Sequence, residues 1–235
     1  MIRNIFANHG ITITEEQEQK LNQYYDLLID WNNKINLTSI VEYEEVIWKH
    51  FLDSAFFVSC DKVDLNEKKK VFDLGTGAGF PGMVLAILCP DYEFVLADSL
   101  NKRIEFLKVV IDRLQIHNVS VIHGRAEELG RNENFRNQFD YVVSRAVAEL
   151  PVLLEYCIPF VKKGGYFVSY KSRKLDEEIE NANNALNVLF TKYDEKYKYE
   201  LEYDHSERYL VFFKCENITD SKYPRKPKKI KTNPL

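Results

Sequence analysis

The residues best placed to do chemistry lie in KKKVFDLGTGAGFPGMVLAILCP, residues 68 to 90, where Asp73 precedes four glycines that can be read in two registers. Gly75-x-Gly77-x-Gly79 fits the turn that holds S-adenosylmethionine, and Gly77-x-Gly79-x-x-Gly82 fits the fingerprint that holds the pyrophosphate of a dinucleotide. A pyrophosphate wants bare N–H groups at a helix start and no negative charge beside them. Here Asp73 stands two residues before Gly75, and Pro81 removes one N–H from the helix start. Both features weaken a phosphate site. They suit a ligand with a sulfonium and an ammonium, towards which a carboxylate is attractive, while the ligand's own carboxylate takes loop N–H groups. Asp98, at the end of the next apolar run, accepts from ribose hydroxyls in either register and does not discriminate.

Such residues work only if strand ends position them. After residue 70, short apolar runs alternate with helical stripes, the pattern of a parallel sheet with crossovers. VFDLG, EFVLADS, VSVIHG, FDYVVSRA and GGYFVSYKS read as strands, and YKYELEY with ERYLVFFKC as a closing hairpin. PGMVLAILCP, NKRIEFLKVVIDRLQI, LPVLLEYCIPFV and KLDEEIENANNALNVLF read as helices, the second with Ile104, Leu107, Ile111 and Leu114 on one stripe. The expected fold is α/β: a Rossmann-like, class I S-adenosylmethionine-dependent methyltransferase, its mostly parallel seven-stranded sheet carrying helices on both faces. Ligands then bind at the carboxyl ends of the strands.

Ahead of this core (67–216) lies a helical extension (1–66), and behind it a basic tail (217–235). In the extension, Thr14 and Gln17 form a capping box, with Leu21, Tyr24, Leu28, Trp31 and Ile35 following at helical steps. A second helix, EYEEVIWKHFLDSAFFV, places His50 and Asp53 three residues apart on one face, which reads as a local hydrogen bond inside the extension. The charged stretch CDKVDLNEKKK links it to the core. The tail SKYPRKPKKIKTNPL carries Lys222, Arg225, Lys226, Lys228, Lys229 and Lys231 and no acid, in a proline-punctuated frame expected not to form a helix. It reads either as a solvated end or as a phosphate-binding arm.

Composition sets the surroundings. With 45% apolar residues, 15 Phe and 14 Tyr in 235 residues, the chain can bury a sizeable core. A net charge of -4 argues against coating nucleic acid over the whole surface. No apolar run reaches the ~18 residues of a membrane span, and the polar start MIRNIFANHGITITEEQ does not resemble a signal peptide, so the protein is expected in the cytoplasm and away from membranes. Cys60, Cys89, Cys157 and Cys215 have no zinc-ligand or disulfide spacing and read as reduced, buried thiols, with no metal.

The strand ends also bear on the methyl acceptor. Amino-methylating enzymes carry Asn or Asp, Pro-Pro and an aromatic after the fourth strand, and pyrimidine C5 enzymes need a cysteine nucleophile; this chain reads SRAVAEL there, offering Arg145. An atom that already has a free lone pair, such as guanine N7, needs only in-line placement against the methyl group.

NKINLTSI, KHFLDS, DLGTGAGFPG, ADSLNKRIEFL, GRAEEL, SRAVAELPVLLEYCIPFVKKGG, YKS and YPRKPKKIKTNPL together resemble, nearly end to end, the family of the glucose-inhibited division protein B (RsmG), bacterial 16S ribosomal RNA guanine-N7 methyltransferases. The resemblance implies S-adenosylmethionine as cofactor and 16S ribosomal RNA or the small ribosomal subunit as partner; the chain is expected to be a monomer. It places cofactor contacts on Gly75, Phe80, Ala126, Glu127 and Arg145, beside Gly77 and Asp98 from the loop argument. Arg145 is the catalytic candidate; Lys171, Arg225 and Lys226 are candidates for holding the RNA. Phe80 is expected to offer its N–H, and Ala126 and Glu127 backbone groups to the adenine edge. Lys228 stands where the family's tail usually has Gly. A nicotinamide-dependent oxidoreductase and a non-catalytic RNA-binding module on a methyltransferase fold stay open as alternatives at this point.

Overall fold

The computed structural model describes residues 1–172 and 175–235. The chain begins with helices α1 (Ile2–Asn8), α2 (Glu15–Ile35) and α3 (Tyr43–Val46), a π-helical turn over Ile47–Leu52, α4 (Asp53–Ala55) and a 3₁₀ turn over Phe56–Ser59. It continues as β1 (Lys70–Leu74), α5 (Gly82–Leu88), β2 (Glu93–Asp98), α6 (Asn101–Leu114), β3 (Val119–His123), α7 (Ala126–Leu129), β4 (Phe139–Arg145) and α8 (Leu150–Cys157). The rest is β5 (Val161–Lys171), α9 (Leu175–Asn181), α10 (Asn183–Val188), β6 (Thr191–Leu201), β7 (Ser206–Cys215) and α11 (Pro227–Thr232).

The seven strands make one sheet in the order β3-β2-β1-β4-β5-β7-β6, parallel except where β7 runs antiparallel between β5 and β6. The central strands are apolar on both faces because both faces are covered. Val71, Leu96, Val143 and Val168 pack on one side and Phe72, Ala97, Val142 and Phe167 on the other. The first side is closed by α5 and α6 with the amino-terminal helices packed on them, so Phe6, Tyr24, Leu28 and Phe51 share one core with the sheet. The second side is closed by α8 to α11.

The helix start at Thr14 is the capping box expected: its hydroxyl accepts from Gln17 N–H at 3.1 Å and the Gln17 side chain accepts from Thr14 N–H at 2.9 Å. Several boundaries differ from the sequence reading. The helix expected from Lys174 starts outside the described residues, and from Leu175 onward it is two helices, broken at Ala182. The hairpin strands begin earlier and run longer, from Thr191 to Cys215. The tail does form a helix, α11, because Pro227 sits at its first turn, where the missing N–H would have had no partner anyway.

Candidate active site

The glycine loop after β1 is shaped from within. Gly75 and Thr76 N–H both donate to Ala97 O (2.9 and 3.0 Å), Gly79 and Phe80 N–H both to Thr76 O (2.9 Å), and Gly77 N–H to Asp98 Oδ2 (2.9 Å). Gly75 and Gly77 have φ of 73° and 61°, which side chains rarely adopt, and a Cβ at Gly75 would come within 2.6 Å of Val147. At Gly77 a Cβ would meet nothing within 4 Å, so this backbone faces open space. The Phe80 N–H, expected to be offered to the cofactor, is engaged inside the loop, as are those of Gly75, Thr76, Gly77 and Gly79.

Asp73 turns one carboxylate oxygen back onto its own loop. It is fully buried, with Oδ2 accepting from Thr76 Oγ1 (2.7 Å) and from Gly82 N–H (2.8 Å). Its carboxylate thus holds the start of α5, the position a dinucleotide's pyrophosphate would need. A Cβ at Gly82 would strike that same oxygen at 2.6 Å. The dinucleotide register is therefore closed by occupancy, a stronger reason than the repulsion inferred from sequence. Burial pushes Asp73 up to about 6, against the two hydrogen bonds that pull it down.

Two cavities open on either side of Gly75, Arg103 and Ala146. The first, of about 600 Å³, is lined by Ala97, Asp98, Ser99, Gly124, Ala126, Glu127, Val152 and Tyr156. Asp98 is almost wholly buried at the end of β2; Oδ2 takes Gly77 N–H and Arg103 Nη1 (3.1 Å), while among the described residues Oδ1 takes only Leu100 N–H (2.9 Å) and keeps acceptor capacity. An acceptor there, an open glycine backbone and the Ala126–Glu127 wall fit a nucleoside with its ribose on Asp98.

The second cavity, of about 590 Å³, is the chamber beside it. Its lining includes Thr38, Lys49, His50, Asp53, Phe80, Arg145, Tyr170, Lys171 and Arg208. Arg145, at the end of β4, donates through Nη1 to Asp53 Oδ2 (2.6 Å) and Lys49 O (3.2 Å), and its Nη2 lies 3.3 Å from His50 Nδ1. Asp53 Oδ1 accepts from Tyr199 OH (2.8 Å). His50 stacks on Phe80 with ring centroids 4.3 Å apart, and the Arg145 guanidinium lies 5.3 Å from the same ring. Burial, reinforced by the Arg145 charge, pulls His50 down to about 3. The imidazole is therefore neutral, with Nδ1 accepting from Arg145 and Nε2–H donating to Thr38 Oγ1 (2.9 Å).

His50 and Asp53 are thus not a local pair in an appendage. Both serve Arg145 from across the molecule, His50 from a π-helical turn of a kind frequent at functional sites and Asp53 from the start of α4 just after it. The i, i+3 spacing was the visible signal; Thr38, Tyr199 and Arg208 gave none, since their proximity comes only from the fold. Lys171 is not a solvated charge: its ammonium is tied to Glu178 at 2.5 Å with the side chain 11% exposed.

The tail candidates separate. Lys226 is exposed at the N-cap of α11. Arg225 is bound to fully buried Glu155, with Nε on Oε1 (2.8 Å) and Nη2 on Oε2 (2.6 Å), which takes it out of reach of an RNA phosphate. The four cysteines are buried, and burial pushes Cys60 and Cys89 up to about 12. Among the described residues, no three His, Cys, Asp or Glu converge as a metal site would require, and no helix is long and apolar enough to cross a membrane.

The family described as rRNA small subunit methyltransferase G matches residues 17–202. A ribosomal RNA small subunit methyltransferase G of Lachnoclostridium phytofermentans is 50% identical over 216 residues, covering 92% of this chain and 88% of the relative. Its counterpart in Clostridium novyi is 43% identical over 235 residues, covering 100% and 96%. Among solved structures, an S-adenosylmethionine-dependent methyltransferase from Aquifex aeolicus superposes with a TM-score of 0.53 at 15% identity, over 73% of this chain and 93% of its own. M. jannaschii TYW2 in complex with AdoMet does so at 0.51 and 16%, over 63% and 70%. The sheet order is that of a class I methyltransferase, and the chain belongs to the rRNA small subunit methyltransferase G family.

Proposed function

We propose that this protein transfers the methyl group of S-adenosylmethionine to N7 of one guanine in small-subunit (16S) ribosomal RNA, working in the cytoplasm as a monomer on the RNA or the assembled small subunit. The observation that carries the proposal is the state of the chamber's acids and bases. Among its described residues, Asp53 is paired with Arg145 and Glu178 with Lys171, and neutral His50 has both ring nitrogens engaged. No group there is free to deprotonate a weak nucleophile. An acceptor with its own lone pair, guanine N7, needs none.

Bound S-adenosylmethionine supplies an electrophilic methyl group on a sulfonium. The chain then has to hold two reactants in line and exclude water, which alone is worth several orders of magnitude. Asp98 takes the ribose hydroxyls; Gly75 and Gly77 let the backbone approach; Ala126 and Glu127 meet the adenine edge. Phe80, wedged between His50, Tyr24 and Arg145, fixes the floor between cofactor and base. Arg145 is the catalytic candidate, set by Asp53 to meet the guanine, and Lys171, tied to Glu178 in the same chamber, is the candidate for guanine O6 or a phosphate on exchanging that partner. Lys226 meets RNA phosphates outside the chamber.

The test is a map of N7-methylguanosine in ribosomal RNA from cells lacking the gene, followed by treatment of that RNA with the purified protein and tritiated cofactor. Loss of one methylated guanine and its restoration in vitro is the expected result. An unchanged map overturns the proposal. RNA that is bound but never labelled would mark a binding module.

A further inference from the structure

We infer that the segment from Tyr223 to Leu235 is itself a wall of the cofactor's nucleoside site, held in place by the Arg225–Glu155 bond, so that cofactor affinity depends on the tail. The inference rests on the S-adenosylmethionine assignment and goes beyond it by giving the tail a part in that site.

Pro227, Lys231 and Pro234 line the same cavity as Asp98, Ala126, Glu127 and Tyr156. The segment that carries them is fastened at several points. Besides its side-chain bonds, Arg225 donates its backbone N–H to Glu155 Oε1 (2.8 Å), and its Nη2 reaches Asn233 O (3.1 Å), which ties the far end of α11 back to its start. Arg136 donates to Thr219 O (2.7 Å) and Tyr223 O (2.8 Å), and Arg131 to Pro224 O (2.7 Å). Ile230 is fully buried. The same segment supports the opposite wall: a Cβ at Gly130 would meet Pro224 Cγ at 3.1 Å, so α7, which presents Ala126 and Glu127, rests directly on Pro224.

Fastening alone would be explained by a tail that merely covers α8. The last residues exceed that need. Lys231 and Pro234 lie beyond the buried Ile230 and are exposed to solvent while lining the cavity. Their stems gain burial only when the cavity is filled, which is the condition for a segment to favour the ligand-bound state.

Arg225 acts here as a positioning residue, through the tail. Three proteins test it: the full chain; the full chain with Lys231→Ala and Pro234→Gly; and a chain ending at Tyr223 with Glu155→Gln, so that no buried charge is orphaned. Each is titrated calorimetrically, below its melting temperature, with S-adenosylhomocysteine and with 5′-deoxy-5′-methylthioadenosine, which lacks the amino-acid portion. Truncation should weaken both ligands by the same factor, about tenfold. The double variant, altered only at exposed positions, should weaken both several-fold with an unchanged melting temperature. A truncated, folded protein that binds S-adenosylhomocysteine like the full chain overturns the inference. So does a loss confined to S-adenosylhomocysteine, which would place the effect at the amino-acid end. If the full chain binds neither ligand, the cofactor assignment fails instead.

Discussion

The two ends of the chain close the two ends of one groove, and they do it by opposite electrostatic means. The amino-terminal extension sends Lys49, His50 and Asp53 inward, and the last two are desolvated around Arg145. The carboxyl-terminal segment buries one ion pair, Arg225–Glu155, and leaves Lys226, Lys228 and Lys229 in solvent. The extension's charges thus face the chamber in a low-dielectric setting where each is strong and each is costly to orphan. Most of the tail's charges are screened by water and individually worth little. Residues of one formal charge therefore have different work at the two ends, decided by burial rather than by type.

Breaking the inward network should have the largest effect. Arg145→Ala leaves Asp53, 4% exposed, with Tyr199 and with Arg208 Nε, 3.9 Å away, in place of the close Arg145 partner. Removing one member of such a pair costs about 3–5 kcal/mol, so stability and turnover should fall together. The roles separate in the double variant Arg145→Met with Asp53→Asn. It should recover most of the stability in urea unfolding while turnover stays at least ~100-fold down, since positioned groups contribute on that scale. Recovery of turnover along with stability would reduce Arg145 to a structural ion pair.

The loop joining the two ends comes next. Asp98→Ala removes the ribose acceptor and also frees Gly77 N–H and Arg103, and Gly75→Val forces a side chain against Val147 at a φ it does not tolerate. Losing a hydrogen bond to a charged acceptor is worth ~1.5–3 kcal/mol. S-adenosylhomocysteine affinity should therefore drop at least ~tenfold in each by calorimetry. Unchanged affinity in both would take the loop out of the site.

How much of this could be read in advance follows from range. The glycine turn, Asp98 at a strand end and the capping box at Thr14 were legible because each is a local pattern with a local cause. Asp73 was picked out for the right register with the wrong partner: sequence gives its distance from Gly75, but not that its carboxylate turns back onto Thr76 and Gly82. The Arg145–Asp53 pair spans 92 residues and the Arg225–Glu155 pair 70. No spacing rule reaches that far. The tail's docking is hidden for the same reason, since a run of lysines and prolines shows its solvated face and gives no sign that Tyr223, Arg225 and Ile230 anchor it.

Acid should probe the inward network with a smaller and sign-specific effect. His50 titrates near 6.5 when unfolded and near 3 when folded, so its neutral form contributes stability that is full above pH 6.5 and is lost as pH falls towards 3. Asp73 works in the other direction. Folded, it holds its proton up to about pH 6 instead of 3.8, so stability is lost as pH rises from 3.8 through 6. Between pH 4 and 6 the two oppose each other. Replacing His50 by Gln removes only the first, so the variant should gain on the wild type as pH is lowered from 7 to 4.5, measured as the difference between their urea midpoints. Parallel curves would mean that His50 is not held neutral against Arg145.

The smallest effect belongs to the solvated face of the tail. Lys226, Lys228 and Lys229 are exposed on or beside α11, whereas Arg225 is spent on Glu155 and Lys222 sits 3.2 Å from Asp220. Fewer than the six cations counted in the sequence are thus free to displace ions condensed on RNA. Each phosphate contact on a single strand contributes a slope of about 0.7 in log affinity against log salt. Changing Lys226, Lys228 and Lys229 to Gln should flatten that slope by at most about 2, weaken RNA binding at low salt, and leave both the melting temperature and S-adenosylhomocysteine affinity as they were. The last point separates this variant from truncation, which removes the nucleoside wall as well as the charge. Charge alone reads no sequence, so the same guanine should still be methylated, at a higher RNA concentration. If the triple variant keeps the wild-type salt slope, the outward lysines do not touch RNA, and the tail's work is confined to the cofactor end of the groove.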